Sequence, residues 1–114
     1  MIRTRRIWAS NLRLLKAETE SPLAQASYRL LRASSSAWKS SVVSHTSLWN
    51  LLFSNPGDSY PWQAHVRVNW SDGIFEFQLI RKAGVLVTAD RCREPNSVAV
   101  LGAFLHQLTA EVPA

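Results

Sequence analysis

Residues 62–81 read WQAHVRVNWSDGIFEFQLIR, two runs of alternating apolar and polar residues joined at Asp72-Gly73. A type I′ turn needs positive φ at both central residues, and Asp followed by Gly tolerates that. With the turn there, Trp70 faces Phe75, Val68 faces Phe77 and Val66 faces Leu79. One face of the pair is then apolar, while His65, Arg67, Asn69, Glu76 and Gln78 fall on the other, as a half-buried antiparallel sheet requires. A two-residue loop at Ala83-Gly84 would set Thr88 against Leu79 and Asp90 against Phe77, bringing polar groups onto the apolar face. A three-residue loop, Lys82-Ala83-Gly84, with Gly84 left-handed in a G1 bulge, instead pairs Leu79 with Val87 and Phe77 with Ala89. Residues 62–91 are therefore expected to form a three-stranded antiparallel β-meander. Ile80 and Leu86 pair on its outer face, where Glu76 and Asp90 are also expected to be neighbours.

Working outward, Trp8, Leu12 and Leu15 recur at helical spacing, so Thr4 to about Ala17 is expected as an amphipathic helix with Arg5, Arg6, Arg13 and Lys16 on its other side. Ser21-Pro22 supplies a cap and a first-turn proline for a second helix, running to about Ala33. Ser34, Ser35 and Ser36 read as an interruption, because serine hydroxyls compete for helical backbone groups. From Trp38, the spacing Trp38, Val42, His45, Trp49, Leu52 draws one stripe on a third helix. Asn55-Pro56-Gly57-Asp58 is a turn, with Pro56 and Gly57 suited to the centre of type II. Beyond the meander, Glu94-Pro95-Asn96-Ser97 starts a closing helix over 97–110, whose stripe Val98, Leu101, Leu105 and Leu108 is widened by Val100 and Phe104. So apolar a helix should be buried on two sides, with Gly102 at a close backbone approach.

The expected fold class is α+β: N-terminal helices, the meander, and a C-terminal helix packed on one sheet face. A chain of 114 residues suits a single domain over 1–114, divided into a basic helical half (1–53), the meander (62–91) and the closing helix (97–110). No apolar run approaches the roughly 20 residues that span a bilayer, and one cysteine excludes an internal disulfide framework, so a cytoplasmic protein is expected. The net charge of +5 is uneven: residues 1–57 carry eight Lys/Arg against two Glu, residues 58–114 five against six Asp/Glu. The Arg- and Ser-rich, acid-poor N-terminus also fits a mitochondrial presequence, against which stand its well-formed helix signals.

Catalytic and metal signatures are sparse. His45, His65, His106 and Cys92 show no ligand spacing, so no metal and no cofactor are expected. His45 reads as a core histidine on the third helix. Cys92 lies between Arg91 and Arg93, cations that favour a thiolate, but no neighbouring base or orienting group completes a nucleophile. Four glycines leave no room for a phosphate-binding loop. A non-enzymatic protein is the expectation.

The order helix, three strands, helix resembles that of double-stranded-RNA-binding domains, whose last helix begins with a lysine cluster. Here that position reads Asn96-Ser97-Val98-Ala99, so the likeness ends at the order of elements. Five tryptophans exceed what one small core needs, and aromatic and arginine residues are enriched at interface centres. The leading expectation is a small adaptor that docks an acidic protein partner, or its own copy in a homo-oligomer, through Ile7, Trp8 and Leu12 flanked by Arg5, Arg6 and Arg13. The alternative is a nucleic-acid-binding accessory protein using Arg3, Arg5, Arg6, Arg13 and Lys16.

Overall fold

A computed structural model describes residues 2–111, so the first residue and the last three of the expected domain lie outside the described residues. The fold is α+β. Helices α1 (Ile2–Ala17) and α2 (Pro22–Trp38) precede strands β1 (Val43–Ser47), β2 (Asn50–Ser54), β3 (Ala64–Ser71), β4 (Ile74–Arg81) and β5 (Val85–Arg93), and α3 (Glu94–Ala110) closes the chain. The strands form one antiparallel sheet in sequential order.

The central hairpin has the expected register, Trp70 with Phe75, Val68 with Phe77 and Val66 with Leu79, and Asp72 and Gly73 are both at positive φ. Its apolar face continues through Leu51 and Phe53 of β2, which pair with Val68 and Val66. The three helices cover this inner face, and Trp8, Leu15, Leu30, Leu31, Leu101, Leu105 and Leu108 join the strand residues in one core. Rings link the layers: Trp8 lies 5.7 Å from Phe53, and Phe77 lies 5.7 Å from Phe104.

Four expectations need correction. Residues 43–54 form a hairpin, not a third helix. Val42, Ser44, Leu51 and Phe53 are buried at strand spacing, and the β-branched Val43 and Thr46 suit a pleated surface. The connecting pair, Leu48 and Trp49, takes positive φ at both positions, the geometry of a primed turn reached without Gly, Asn or Asp. Second, α2 runs through Ser34–Ser36 to Trp38. Ser34 is buried against the core, and packing outweighs the weak preference of serine for turns.

The third correction concerns β5. Gly84 is left-handed and Ile80 pairs with Leu86 as expected, but a bulge at Val87 shifts the ladder so that Leu79 meets Thr88 and Phe77 meets Asp90. Polar inward residues are tolerated because β5 is an edge strand at the margin of the helical cover. Glu76 consequently faces Arg91, at 3.8 Å, and not Asp90. α3 packs on β3, β4 and β5 and against α2, as expected, but, fourth, its Gly102 has open space where a close backbone approach is expected.

Candidate binding surface on the outer sheet face

The helix that was expected to dock a partner is largely committed to its own molecule. Trp8 is 1 % exposed, and its Nε1 donates to the Val42 carbonyl at 2.8 Å. This buried ring is unavailable to a partner in the folded chain, because the stripe that makes α1 amphipathic fills its own core. Leu12 also packs against the core and Ile7 is half-buried. Arg3, Arg5, Arg6, Arg13 and Lys16 are exposed. Two of them engage neighbours, Arg5 Nε donating to Ser40 Oγ at 2.8 Å and Arg13 to Ser10 Oγ at 3.3 Å. The structure thus separates the expected site: its arginines face water and its tryptophan does not.

The opposite, helix-free face of the sheet carries a cluster that the sequence pattern did not reveal. The loop between β2 and β3 folds over it. This loop is anchored by Asn55 Nδ2 donating to the Leu108 carbonyl (2.9 Å), by the Gln63 N–H donating to the Asp58 carboxylate (3.0 Å) and by the Lys82 N–H donating to the Gln63 carbonyl (2.9 Å). So held, Trp62 lies across the outer face with its ring 4.7 Å from His45 of β1 and 5.2 Å from His65 of β3. Tyr60 meets Trp62 edge-on at 5.3 Å and is 80 % exposed. Beneath Trp62, His45 Nε2 and Ser54 Oγ are 2.8 Å apart. His45 therefore bonds a strand hydroxyl on a sheet face, not a helix carbonyl in a core.

Burial pushes the His45 imidazole below its ordinary pKa, and neighbouring His65 adds to the effect. Burial likewise lowers His65, helped by Arg67 and opposed by Asp58. The pair favours the neutral state. Ser54 is 1 % exposed, so its contact with His45 lacks the access that a nucleophile needs. The remaining sequence candidates lie elsewhere. His106 is exposed on α3 and meets Trp38 edge-on at 4.8 Å. Cys92 faces inward, and burial together with Asp90 raises its pKa, the direction opposite to the thiolate expected from Arg91 and Arg93. Among the described residues no three His, Cys, Asp or Glu side chains gather as metal ligands.

Beside the aromatic cluster lies a shallow cleft of about 320 Å³, walled by Tyr60, Trp62 and Leu52 and edged by His65, Arg67 and Leu48. Leu48 is 88 % exposed at φ 49, where Asn or Gly would fit at lower cost. Its large apolar side chain meets water at a backbone position that does not favour it. Arg67 has no ion pair among the described residues. The cleft thus combines an aromatic wall, exposed aliphatic surface and a free cation. No family model matches the chain, and neither a curated protein nor a solved structure shows significant similarity to it.

Proposed function

We propose that this chain is a non-enzymatic binding protein that docks an acidic protein partner on the outer sheet face, with Tyr60, Trp62 and Leu48 as contacts and Arg67 as the charged rim. The observation that carries it is the coincidence of an exposed Tyr60, anchored on the half-buried Trp62, with a leucine held out at a left-handed turn. Aromatic and arginine side chains dominate the energetics of interfaces, and a rigid loop reduces the ordering cost of binding. The overall positive charge favours an acidic partner by steering its approach. A lone, unpaired thiol suits a reducing, cytoplasmic setting.

The test is comparative co-purification. A Leu48→Asn/Tyr60→Ser variant with an undiminished melting temperature should lose the protein retained by the parent chain. An Arg5→Gln/Arg6→Gln/Arg13→Gln variant should keep it, with slower association. The converse pattern would return the docking surface to α1.

The exposure of Arg3, Arg5, Arg6, Arg13 and Lys16 favours a second reading, binding of nucleic acid along α1. That reading requires affinity for an oligonucleotide that falls log-linearly with salt and disappears in the triple arginine variant.

A further inference from the structure

The two edges of the sheet are treated differently. β1 has five residues, and α1 lies along it, with Asn11 Nδ2 donating to the Ser44 carbonyl at 2.9 Å and Trp8 Nε1 to the Val42 carbonyl. β5 has nine residues and, among the described residues, pairs with β4 alone. The Arg91 N–H is donated to the carboxylate of its own neighbour, Asp90 Oδ1, at 2.8 Å. That carboxylate stands where the carbonyl of a sixth strand would lie. By the alternation of an antiparallel ladder, the N–H groups of Ala89 and Arg93 turn the same way.

The edge is chemically divided. Val85 and Leu86 are 55 % and 53 % exposed at one end, with Val87 beside them, while Arg91 and Arg93 project at the other. Arg93 has no ion pair among the described residues, and Arg91 only a long one to Glu76. Pairing with a second copy is disfavoured by these charges. A two-fold axis normal to the sheet centred at 90 sets Asp90 against Asp90, and one centred at 91 sets Arg91 against Arg91. Centring at 89 spends both arginines on Val87 and Val85. Such charges disfavour pairing of like edges and favour an acidic one.

We propose that β5 takes up, by strand addition, an extended segment of an acidic partner polypeptide. The segment runs antiparallel to β5, with carboxylates opposite Arg91 and Arg93 and apolar residues opposite Val85–Val87. It displaces the Asp90 carboxylate from the Arg91 N–H, which makes Asp90 an internal mimic of the incoming strand. Regular hydrogen bonding is confined to 88–93, since the bulge at Val87 breaks the ladder there, and the apolar end contributes burial. The proposal rests on the binding-protein reading but uses a different surface.

The experiment uses the full chain and a capped synthetic peptide, Glu-Thr-Glu-Thr-Val-Thr-Ile-Val-Val, followed by backbone amide NMR. Binding should slow exchange at Ala89, Arg91 and Arg93. Arg91→Glu/Arg93→Glu should weaken it at least about tenfold, and a peptide with Lys in place of both Glu should restore it. Asp90→Ala, which uncovers the Arg91 N–H, should tighten binding several-fold. The Leu48→Asn/Tyr60→Ser variant should bind the peptide unchanged, which separates this site from the outer face. Three results would overturn the proposal: no binding by parent or Asp90→Ala at about 1 mM peptide, protection mapping away from β5, or indifference to the charge reversal.

Discussion

At the scale of single residues, the two histidines under Trp62 give the fold a pH dependence whose sign can be worked out. Both imidazoles are held below their ordinary pKa, so the folded state binds fewer protons than the unfolded chain in that window. Stability is full above the unfolded value near 6.5 and declines as pH falls from there toward the lowered folded values. The melting temperature should therefore drop between about pH 7.5 and 5.5, and His45→Gln with His65→Gln should flatten the decline. Glu94 and Glu111, lowered by Arg29 and Arg81, lose their contribution only at lower pH and do not mask it. Trp8 supplies a second test. Replacing this buried ring by Ala removes its packing on Phe53 and its bond to Val42, and should cost about 3–5 kcal/mol in urea unfolding. A small loss with abolished partner binding would instead mark Trp8 as a docking contact.

At the scale of elements, the turn at Leu48-Trp49 shows where the sequence was legible and where it was not. Asp72-Gly73 declares its hairpin because both residues suit positive φ, and α1 and α3 declare themselves through apolar stripes near 3.6 spacing. Leu48 and Trp49 offer no such signal. The stripe Trp38, Val42, His45, Trp49, Leu52 imitates a helix because outward His45 and Leu52 are themselves partly covered by the loop carrying Trp62. The candidate cluster was illegible for the same reason: residues 45, 60, 62 and 65 come together only through sheet pairing and loop closure. The bulge at Val87 was hidden because the local pattern favoured apolar Val87 over Thr88 opposite Leu79, whereas edge position makes the polar choice affordable. Two substitutions probe these turns. Leu48→Asn should raise stability by roughly 0.5–1 kcal/mol while weakening partner binding, and Ala83→Gly, at φ 67, should also stabilise by about 0.5 kcal/mol. Equal or lower stability for both variants by chemical unfolding would show that the left-handed backbone there is without cost.

At the scale of the whole molecule, the helices cover one face of the sheet and, among the described residues, leave the other to a single anchored loop. Charge follows a different division, with the basic excess on the helical half and the pair of exposed Tyr60 and half-buried Trp62 on the sheet. A partner that is steered by the first and held by the second would use both, which makes position-specific contact more decisive than affinity. The most direct measurement is site-specific photocrosslinking in cells producing the chain. A photoreactive side chain is placed once at Tyr60, on the outer sheet face, and once at Ala9, on the exposed side of α1. Discrete crosslinked protein from position 60, and none from position 9, is the expected result. Crosslinks from position 9 alone would contradict the assignment of docking to the outer sheet face.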